Sequence, residues 1–175
     1  MKQILITGFG GQGILFVGRV LAYASMIGGK EVTWVPAYGP ESRGGTSYCS
    51  VIISDKPIGS PIVLEPDILI CMNQPSLDKF ACQLASDGLL FADSTMAHNV
   101  PDMPSAYSIP ATNLAFDSNL DGLANMVMLG YIASKTNIID MPTLSKAMTE
   151  VVSARKKELV DSNMKAIQIG YEYNH

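Results

Sequence analysis

The stretch KQILITGFGGQGILFVGRVLAYASMI, residues 2–27, decides how the rest of this chain can fold. Residues 4–6 form a short run of branched apolar side chains that is typical of a buried strand. Residues 14–24 repeat apolar side chains at three- and four-residue spacing, which predicts a helix that packs on a sheet. The helix is expected to open near Gly11 or Gln12. The stretch therefore predicts a strand, a glycine loop and a helix in that order.

The glycines between strand and helix match the pattern G-x-G-x-x-G in the setting that this pattern requires. Gly8 would permit a tight turn, Gly10 would let the backbone approach a phosphate, and Gly13 would let helix and strand pack closely. The loop residues predicted to bind a cofactor are Gly8, Gly10, Gly11, Gln12 and Gly13. The alternative is that the glycines serve only the crossover from strand to helix.

A dinucleotide site would also need an acidic residue about 20 residues further on, at the end of the next strand. Glu31 precedes the apolar run at residues 32–35 instead of ending it. Glu41 lies beyond Pro36 and Pro40, outside that run. A standard NAD site is therefore disfavoured.

The segment AYGPESRGGTS, residues 37–47, is a second unusual loop between two apolar strands. Pro40 and a pair of adjacent glycines give it a defined turn. Arg43 carries a planar cation that suits phosphate or carboxylate. An ordinary solvated loop is the alternative, but polar groups bracketed by glycines favour a functional role. The residues of this loop predicted to bind a cofactor are Glu41, Ser42, Arg43, Gly44 and Gly45.

Strand and helix patterns alternate along the remainder of the chain. Strands are predicted at residues 32–35, 46–54, 67–72, 89–92 and 107–110, and helices at 77–86 with Ser76 as N-cap, 123–133, 142–152 and 159–171. The pattern predicts the α/β class, with residues 1–175 as a single three-layer domain, a mostly parallel sheet and a Rossmann-like start. Asn73 and Gln74 follow a central strand, where open parallel sheets present ligands, and are further candidates for the site.

Composition limits the function classes. Hydrophobic residues make up 47% of the chain and charged residues 16%, which favours a buried sheet and a large subunit interface. A net charge of -4 gives no electrostatic footprint for nucleic acid. No apolar run reaches the roughly 18 residues that a membrane span requires, and no signal peptide is visible. We therefore expect a cytoplasmic protein without a nucleic-acid or membrane partner.

Residue types that would carry catalysis or bind a metal are sparse. Cys49, Cys71 and Cys82 are widely spaced and are expected to be buried thiols in a reducing compartment. Three cysteines cannot supply all four ligands of an iron-sulfur cluster. His98 and His175 show no spacing to a nucleophile that suggests a triad. The sequence predicts neither a catalytic group nor a metal ligand, and the chain looks like part of an enzyme.

Four segments in the first half of the chain together resemble one family, the gamma subunit of 2-oxoacid:ferredoxin oxidoreductases. They are GFGGQGI (8–14), YGPESRGGTS (38–47), VIISDKPIGSP (51–61) and MNQPSLDKF (72–80). The resemblance implies a complex that oxidatively decarboxylates a 2-oxoacid with coenzyme A, giving acyl-CoA, carbon dioxide and reduced ferredoxin. The favoured substrates are 2-oxoglutarate and branched-chain 2-oxoacids, and pyruvate is a less favoured candidate.

The resemblance also implies that the cofactors and the assembly surface lie on different subunits. Thiamine diphosphate and iron-sulfur clusters would belong to the alpha, beta and, where present, delta subunits, which are the expected partners, and ferredoxin would be reached through the complex. This chain would bind no cofactor on its own; it would supply assembly surface and help to place coenzyme A, with Arg43 as the expected anion contact. In isolation it could form a homodimer. The competing hypotheses are a stand-alone nucleotide-binding oxidoreductase and a purely structural assembly subunit.

Overall fold

A central sheet organises this computed structural model, which describes residues 1–39, 45–152 and 157–174. The strands are β1 (Lys2–Phe9), β2 (Glu31–Tyr38), β3 (Thr46–Ser54), β4 (Ile68–Cys71), β5 (Leu89–Asp93) and β6 (Ala106–Ile109). The helices are α1 (Ile14–Ile27), α2 (Gln74–Phe80), α3 (Ala111–Asp117), α4 (Ala124–Thr136), α5 (Met141–Val151) and α6 (Lys157–Tyr171), with a 3₁₀ turn at Ala81–Gln83. The predicted α/β class is confirmed.

The strand order is β2-β3-β1-β4-β5-β6, and the directions of the strands divide the sheet into two parts. β1, β4, β5 and β6 are parallel, whereas β3 runs antiparallel to both β1 and β2. From β1 the chain moves towards β2, and from β4 it moves the opposite way, towards β5. The neighbouring strands β1 and β4 therefore flank the point where the winding direction reverses, which is where open α/β sheets bind ligands.

The two faces of the sheet are covered very unequally. Helices α1, α3, α4, α5 and α6 pack on one face, over apolar side chains that include Ile6, Ile70 and Phe91. On the other face, α2 packs Leu77 and Phe80 against the sheet. The prediction of three layers and a mostly parallel sheet is confirmed, with one outer layer much thinner than the other among the described residues.

The start of α2 differs from the prediction. Ser76 was expected to be the N-cap, but the helix begins at Gln74 and Asn73 caps it by accepting a 2.9 Å hydrogen bond from the Ser76 N–H. Pro75 fits the first turn because the nitrogen of a first-turn residue needs no intrahelical partner. The α-helix ends at Phe80 instead of reaching residue 86, and the 3₁₀ turn follows it.

Further differences from the prediction concern α1, β2 and α3. α1 begins at Ile14, later than expected, because Gly11 and Gly13 adopt positive φ angles of 98° and 71°. β2 extends through Pro36, which an edge strand tolerates. α3 was not predicted, since it is short and lacks a clear apolar period. Within the described ranges no helix is long and apolar enough to cross a membrane.

Candidate functional site

The glycine loop and the end of β4 meet at the reversal point of the sheet, and Gln12 joins them. Its Oε1 accepts hydrogen bonds from the Phe9 N–H at 2.7 Å and from Asn73 Nδ2 at 2.8 Å. Its Nε2 donates to the Met72 carbonyl oxygen at 3.0 Å. The side chain of Gln12 therefore bridges the glycine loop after β1 and the end of β4.

The glycines of this loop have roles other than those expected. A Cβ on Gly8 would lie 2.5 Å from Ile14 Cδ1, so Gly8 is the residue that lets β1 and α1 pack closely. A Cβ on Gly13 would lie 2.2 Å from Asn125 Nδ2, so Gly13 makes room for α4 and not for a strand. The turn itself uses the positive φ angles of Gly11 and Gly13. Gly8 was expected to permit the turn, and Gly13 was expected to let the helix pack closely on the strand. Both expectations are wrong.

The two loops singled out in the sequence lie side by side. Gly10 was expected to let the backbone approach a phosphate, and its N–H donates to the Gly45 carbonyl oxygen at 3.2 Å. β3 makes this contact possible because it pairs with β1 along its whole length, from Lys2 to Phe9. The other predicted residues of the second loop, Glu41, Ser42, Arg43 and Gly44, lie outside the described residues.

Asn73 and Gln74 lie at the predicted strand end, but their side chains bond to protein groups. Asn73 caps α2 and donates to Gln12. Gln74 Oε1 accepts from the backbone N–H groups of His98 at 2.8 Å and Asn99 at 2.9 Å, and its Nε2 donates to Asp78 at 2.7 Å. Both residues therefore hold loops in position at this edge of the sheet.

A cavity of about 250 Å³ opens beside the glycine loop. Gly11, Gln12 and Met72 form one side of it, and Phe116 and Asp121 belong to the other. The second side comes from α3 and from the connection to α4, and these residues were not predicted as part of a site. Its only local signal was the turn dipeptide at residues 121–122, where Gly122 has a φ angle of 81°.

The start of α1 is compatible with an anion. No side chain caps it and no acidic residue lies in its first turn. The first-turn N–H groups of a helix have no intrahelical partner, and the helix dipole places partial positive charge there. Asp121 lines the far side of the cavity, and its negative charge disfavours an anion on that side. An anion would therefore fit against the glycine loop more readily than in the centre of the cavity.

The cysteines do not fit an iron-sulfur cluster. Cys49 is buried on β3 and Cys71 on β4, with β1 between them, and Cys82 is exposed. Burial raises the pKa of both the Cys49 and the Cys71 thiol to about 12, which keeps them protonated and inert. The expectation of buried thiols is confirmed for these two and is wrong for Cys82. No cluster of metal-binding side chains occurs among residues 1–39, 45–152 and 157–174.

Exposed apolar side chains lie at the strand ends on the same edge of the sheet as the glycine loop and Gly45. Tyr38 at the end of β2 is 70% exposed, and Phe116 at the cavity mouth is 67% exposed. Met96, which follows β5, is also exposed. Large apolar groups grouped around a shaped loop are typical of a surface that another protein covers.

Comparison with known families gives one match over nearly the whole chain. The family model described as pyruvate ferredoxin/flavodoxin oxidoreductase matches residues 3–173. Ketoisovalerate oxidoreductase subunit VorA of Methanothermobacter thermautotrophicus is 40% identical over 172 residues, which cover 98% of this chain and 36% of VorA. The chain thus spans about a third of the length of that relative.

Two relatives match this chain along almost their full length. The 2-oxoglutarate synthase subunit KorC of Methanocaldococcus jannaschii is 37% identical over 177 residues, covering 98% of this chain and 92% of KorC. The crystal structure of the keto/oxoacid ferredoxin oxidoreductase gamma subunit from Geobacter sulfurreducens PCA is 30% identical, with a TM-score of 0.83. That comparison covers 98% of this chain and 97% of the Geobacter chain.

Proposed function

The chain belongs to the pyruvate ferredoxin/flavodoxin oxidoreductase family, and from this membership we propose that it is the gamma subunit of a 2-oxoacid:ferredoxin oxidoreductase. The complex would oxidatively decarboxylate a 2-oxoacid with coenzyme A to acyl-CoA and carbon dioxide and reduce ferredoxin. Relatives of similar length carry subunit names, which supports a partner-dependent role. The three unpaired cysteines suit a reducing compartment and support a cytoplasmic location.

The observation that carries the proposal for this chain's own role is the contact between the two motif loops. The Gly10–Gly45 hydrogen bond places both loops on one edge of the sheet, and Tyr38 and Phe116 are exposed at the same edge. We propose that this edge, the loop edge, contacts the alpha or beta subunit. The thiamine diphosphate and the iron-sulfur clusters would lie on the alpha, beta and, where present, delta subunits, and the separation of Cys49, Cys71 and Cys82 in this chain supports that proposal.

The substrate is proposed from the relatives. The relatives named for ketoisovalerate and 2-oxoglutarate support a branched-chain 2-oxoacid or 2-oxoglutarate, with pyruvate as the third candidate. This chain offers no catalytic group at the loop edge among its described residues: the polar side chains of Gln12, Asn73 and Gln74 bond to protein groups. The groups that choose the oxoacid would therefore lie on the other subunits.

The complex can be tested by anaerobic co-expression of this chain with the products of neighbouring genes, followed by viologen reduction with each oxoacid and coenzyme A. The matched preparation omits only this chain. We expect activity that depends on this chain and that prefers one oxoacid. Full activity without the chain would overturn the proposal.

A second part of the proposal concerns coenzyme A. The free N–H groups at the start of α1 and the cation of Arg43 would together contact its phosphates. In the assembled complex, Arg43→Ala should raise the apparent KM for coenzyme A and leave the KM for the oxoacid unchanged. Lys56→Ala removes an exposed cation elsewhere and is the control. Unchanged coenzyme A kinetics together with poor assembly would favour the purely structural subunit.

The stand-alone nucleotide-binding oxidoreductase is less consistent with the structure. Gln12 bridges the glycine loop and the end of β4 at the reversal point of the sheet, and the Gly10 N–H already has a partner. Glu31 lies at the start of β2, at the far end from the glycine loop. Tight binding of NAD or NADP by the isolated chain would nevertheless restore this alternative, and equilibrium dialysis measures it directly.

A further inference from the structure

Helix α1 is apolar on both of its sides. Arg19 is the one charged residue within its 14 residues. The inner side is buried in the core, yet Tyr23, Met26 and Ile27 on the outer side are exposed, Met26 to 59%. A helix that is apolar all round is normally buried all round. The outer side of α1 therefore lacks the cover that its composition predicts.

Helix α5 packs beside α1 and completes a surface groove. The groove has a volume of about 480 Å³ and is lined by Tyr23, Met26, Ile27, Lys146 and Glu150. We call these five residues the α1–α5 patch. Lys146 and Glu150 are four residues apart on α5, which places them about one turn apart on the same side of the helix. The patch thus consists of an apolar centre with one cation and one anion beside it.

We propose that a second copy of this chain covers the α1–α5 patch through a two-fold symmetric contact. A two-fold axis requires a surface that is complementary to itself. If residue i of one copy contacts residue j of the other, then residue j of the first copy contacts residue i of the second. A cation and an anion on the same helix meet this requirement: Lys146 of each copy faces Glu150 of the other. The apolar side chains of Tyr23, Met26 and Ile27 are then buried at the centre, where interfaces are most apolar.

The position of the patch leaves the loop edge free. α1 starts at the glycine loop and runs back along the sheet, so its last turns lie towards the opposite edge. Gly28, which follows α1, lines the same cavity as Lys2 at the start of β1, and this contact marks that edge. A pair formed through the patch can therefore still present both loop edges to other subunits. The edge strand β2 is a weaker route to a dimer, since Pro36 supplies no N–H to a new strand.

The oligomeric state of the purified full chain tests this proposal, with mass measured by light scattering after gel filtration over a range of concentrations. We expect a dimer that Met26→Asp converts to a monomer. Phe116→Asp, which changes a side chain of similar exposure at the loop edge, should leave the dimer intact. Circular dichroism confirms that both variants remain folded.

Charge reversal distinguishes the proposed symmetry from a non-specific apolar contact. Lys146→Glu alone and Glu150→Lys alone each place like charges across the two-fold axis and should weaken the dimer about tenfold or more. The double variant restores opposite charges and should recover the affinity of the unmodified chain. A monomeric unmodified chain at all concentrations, or a double variant no better than the single ones, would overturn the proposal. This outcome does not depend on the proposed oxidoreductase activity.

Discussion

At the scale of single residues, Gln12 is the side chain that fixes the glycine loop. It makes three hydrogen bonds, to the Phe9 N–H, the Met72 carbonyl oxygen and Asn73. Two of these bonds cross from β1 to the end of β4. The loop is therefore held by a side chain at the point where nucleotide-binding relatives of this fold leave space for a ligand.

The network predicts a clear loss of stability on truncation. Gln12→Ala removes all three bonds and leaves the Phe9 N–H and the Met72 carbonyl without these partners, so the free energy of unfolding should fall by about 2–3 kcal/mol. Urea denaturation of the purified chain measures this change. Gln168→Ala is the control, because the exposed Gln168 side chain donates to Glu172, just past the end of α6. Its effect should stay within about 0.5 kcal/mol.

The buried thiols predict how stability depends on pH. Burial raises the pKa of Cys49 and of Cys71 from 9.0 to about 12. Above pH 9.0 the unfolded chain releases these protons while the folded chain keeps them, so the free energy of unfolding falls as pH rises towards 12. The slope should reach about 1.4 kcal/mol per pH unit for each thiol.

Urea unfolding over this pH range tests the slope, with cysteine variants to assign it. The double variant Cys49→Ala/Cys71→Ala should lose the thiol contribution, whereas Cys82→Ala should keep it because Cys82 is exposed. Burial also raises the pKa of Tyr131, which adds to the alkaline slope in all variants equally. An identical slope in the double variant and the unmodified chain would contradict the assignment.

The residues of the glycine motif were predictable, but their roles were not. The motif and its setting after a strand were visible in the sequence, and the loop lies where they place it. The neighbour of Gly13 is Asn125, which is 112 residues away along the chain. Local spacing cannot show a contact of that kind, so the expectation of strand packing at Gly13 was wrong.

At the scale of elements, α4 and α6 cross at two glycines. A Cβ on Gly130 would lie 1.9 Å from the Ile167 carbonyl oxygen, and a Cβ on Gly170 would lie 1.8 Å from the Val127 carbonyl oxygen. These neighbours are backbone atoms and cannot move aside as a side chain can. The two helices therefore approach each other as closely as they do because neither glycine has a side chain.

Adding one methyl group at this crossing should force the helices apart. Gly130→Ala and Gly170→Ala should each lower the free energy of unfolding by about 3 kcal/mol or more, at the upper end of what overpacking costs. Thermal and urea denaturation measure the change. Gly59→Ala is the matched control, since a Cβ there meets no atom within 4 Å. Equal stability of the Gly130 and Gly59 variants would show that the crossing of α4 and α6 has room for a methyl group.

The boundaries of elements were predictable where local chemistry decides them. β3 was predicted at both ends, from Thr46 to Ser54, because its side chains alternate at first and then form a continuous run of branched apolar residues. The start of α2 was predicted too far along the chain. Asn73 and Ser76, three positions apart, can both act as N-caps, and the sequence does not show which of them has the extended backbone of an N-cap. α3 was missed because it is short and lacks a clear apolar period, and its contact with Asp93, which accepts a 3.2 Å bond from the Thr112 N–H, joins residues 19 positions apart.

At the scale of the whole molecule, the sheet topology creates the candidate site. The sequence showed two unusual loops but not that they meet, because their meeting depends on the antiparallel pairing of β3 beside β1. The unequal layers follow from the same topology: β2 and β3 pair antiparallel, and an antiparallel pair does not require the crossover helix that parallel strands need. Both loops thus lie at one edge of the sheet, where β1 ends and β3 begins. The start of β1 and the end of β3 lie at the opposite edge.

This separation predicts which exposed residues matter for assembly. Tyr38→Ser and Phe116→Ser change side chains that are largely exposed at the loop edge, so the stability of the chain should be unchanged while its affinity for the other subunits falls at least about tenfold, or about 1.4 kcal/mol. Titration of each variant into a complex prepared without this chain, with viologen reduction as the readout, measures that affinity.

Controls for this prediction come from the connection between β3 and β4, which lies at the opposite edge of the sheet. Ile62 and Leu64 are 66% and 75% exposed, close to the values for the loop-edge residues, so Ile62→Ser and Leu64→Ser remove similar apolar surface. Both control variants should restore activity at the same concentration as the unmodified chain. If they weaken assembly as much as Tyr38→Ser and Phe116→Ser do, the partner subunits do not select the loop edge, because general surface hydrophobicity would then explain the affinity.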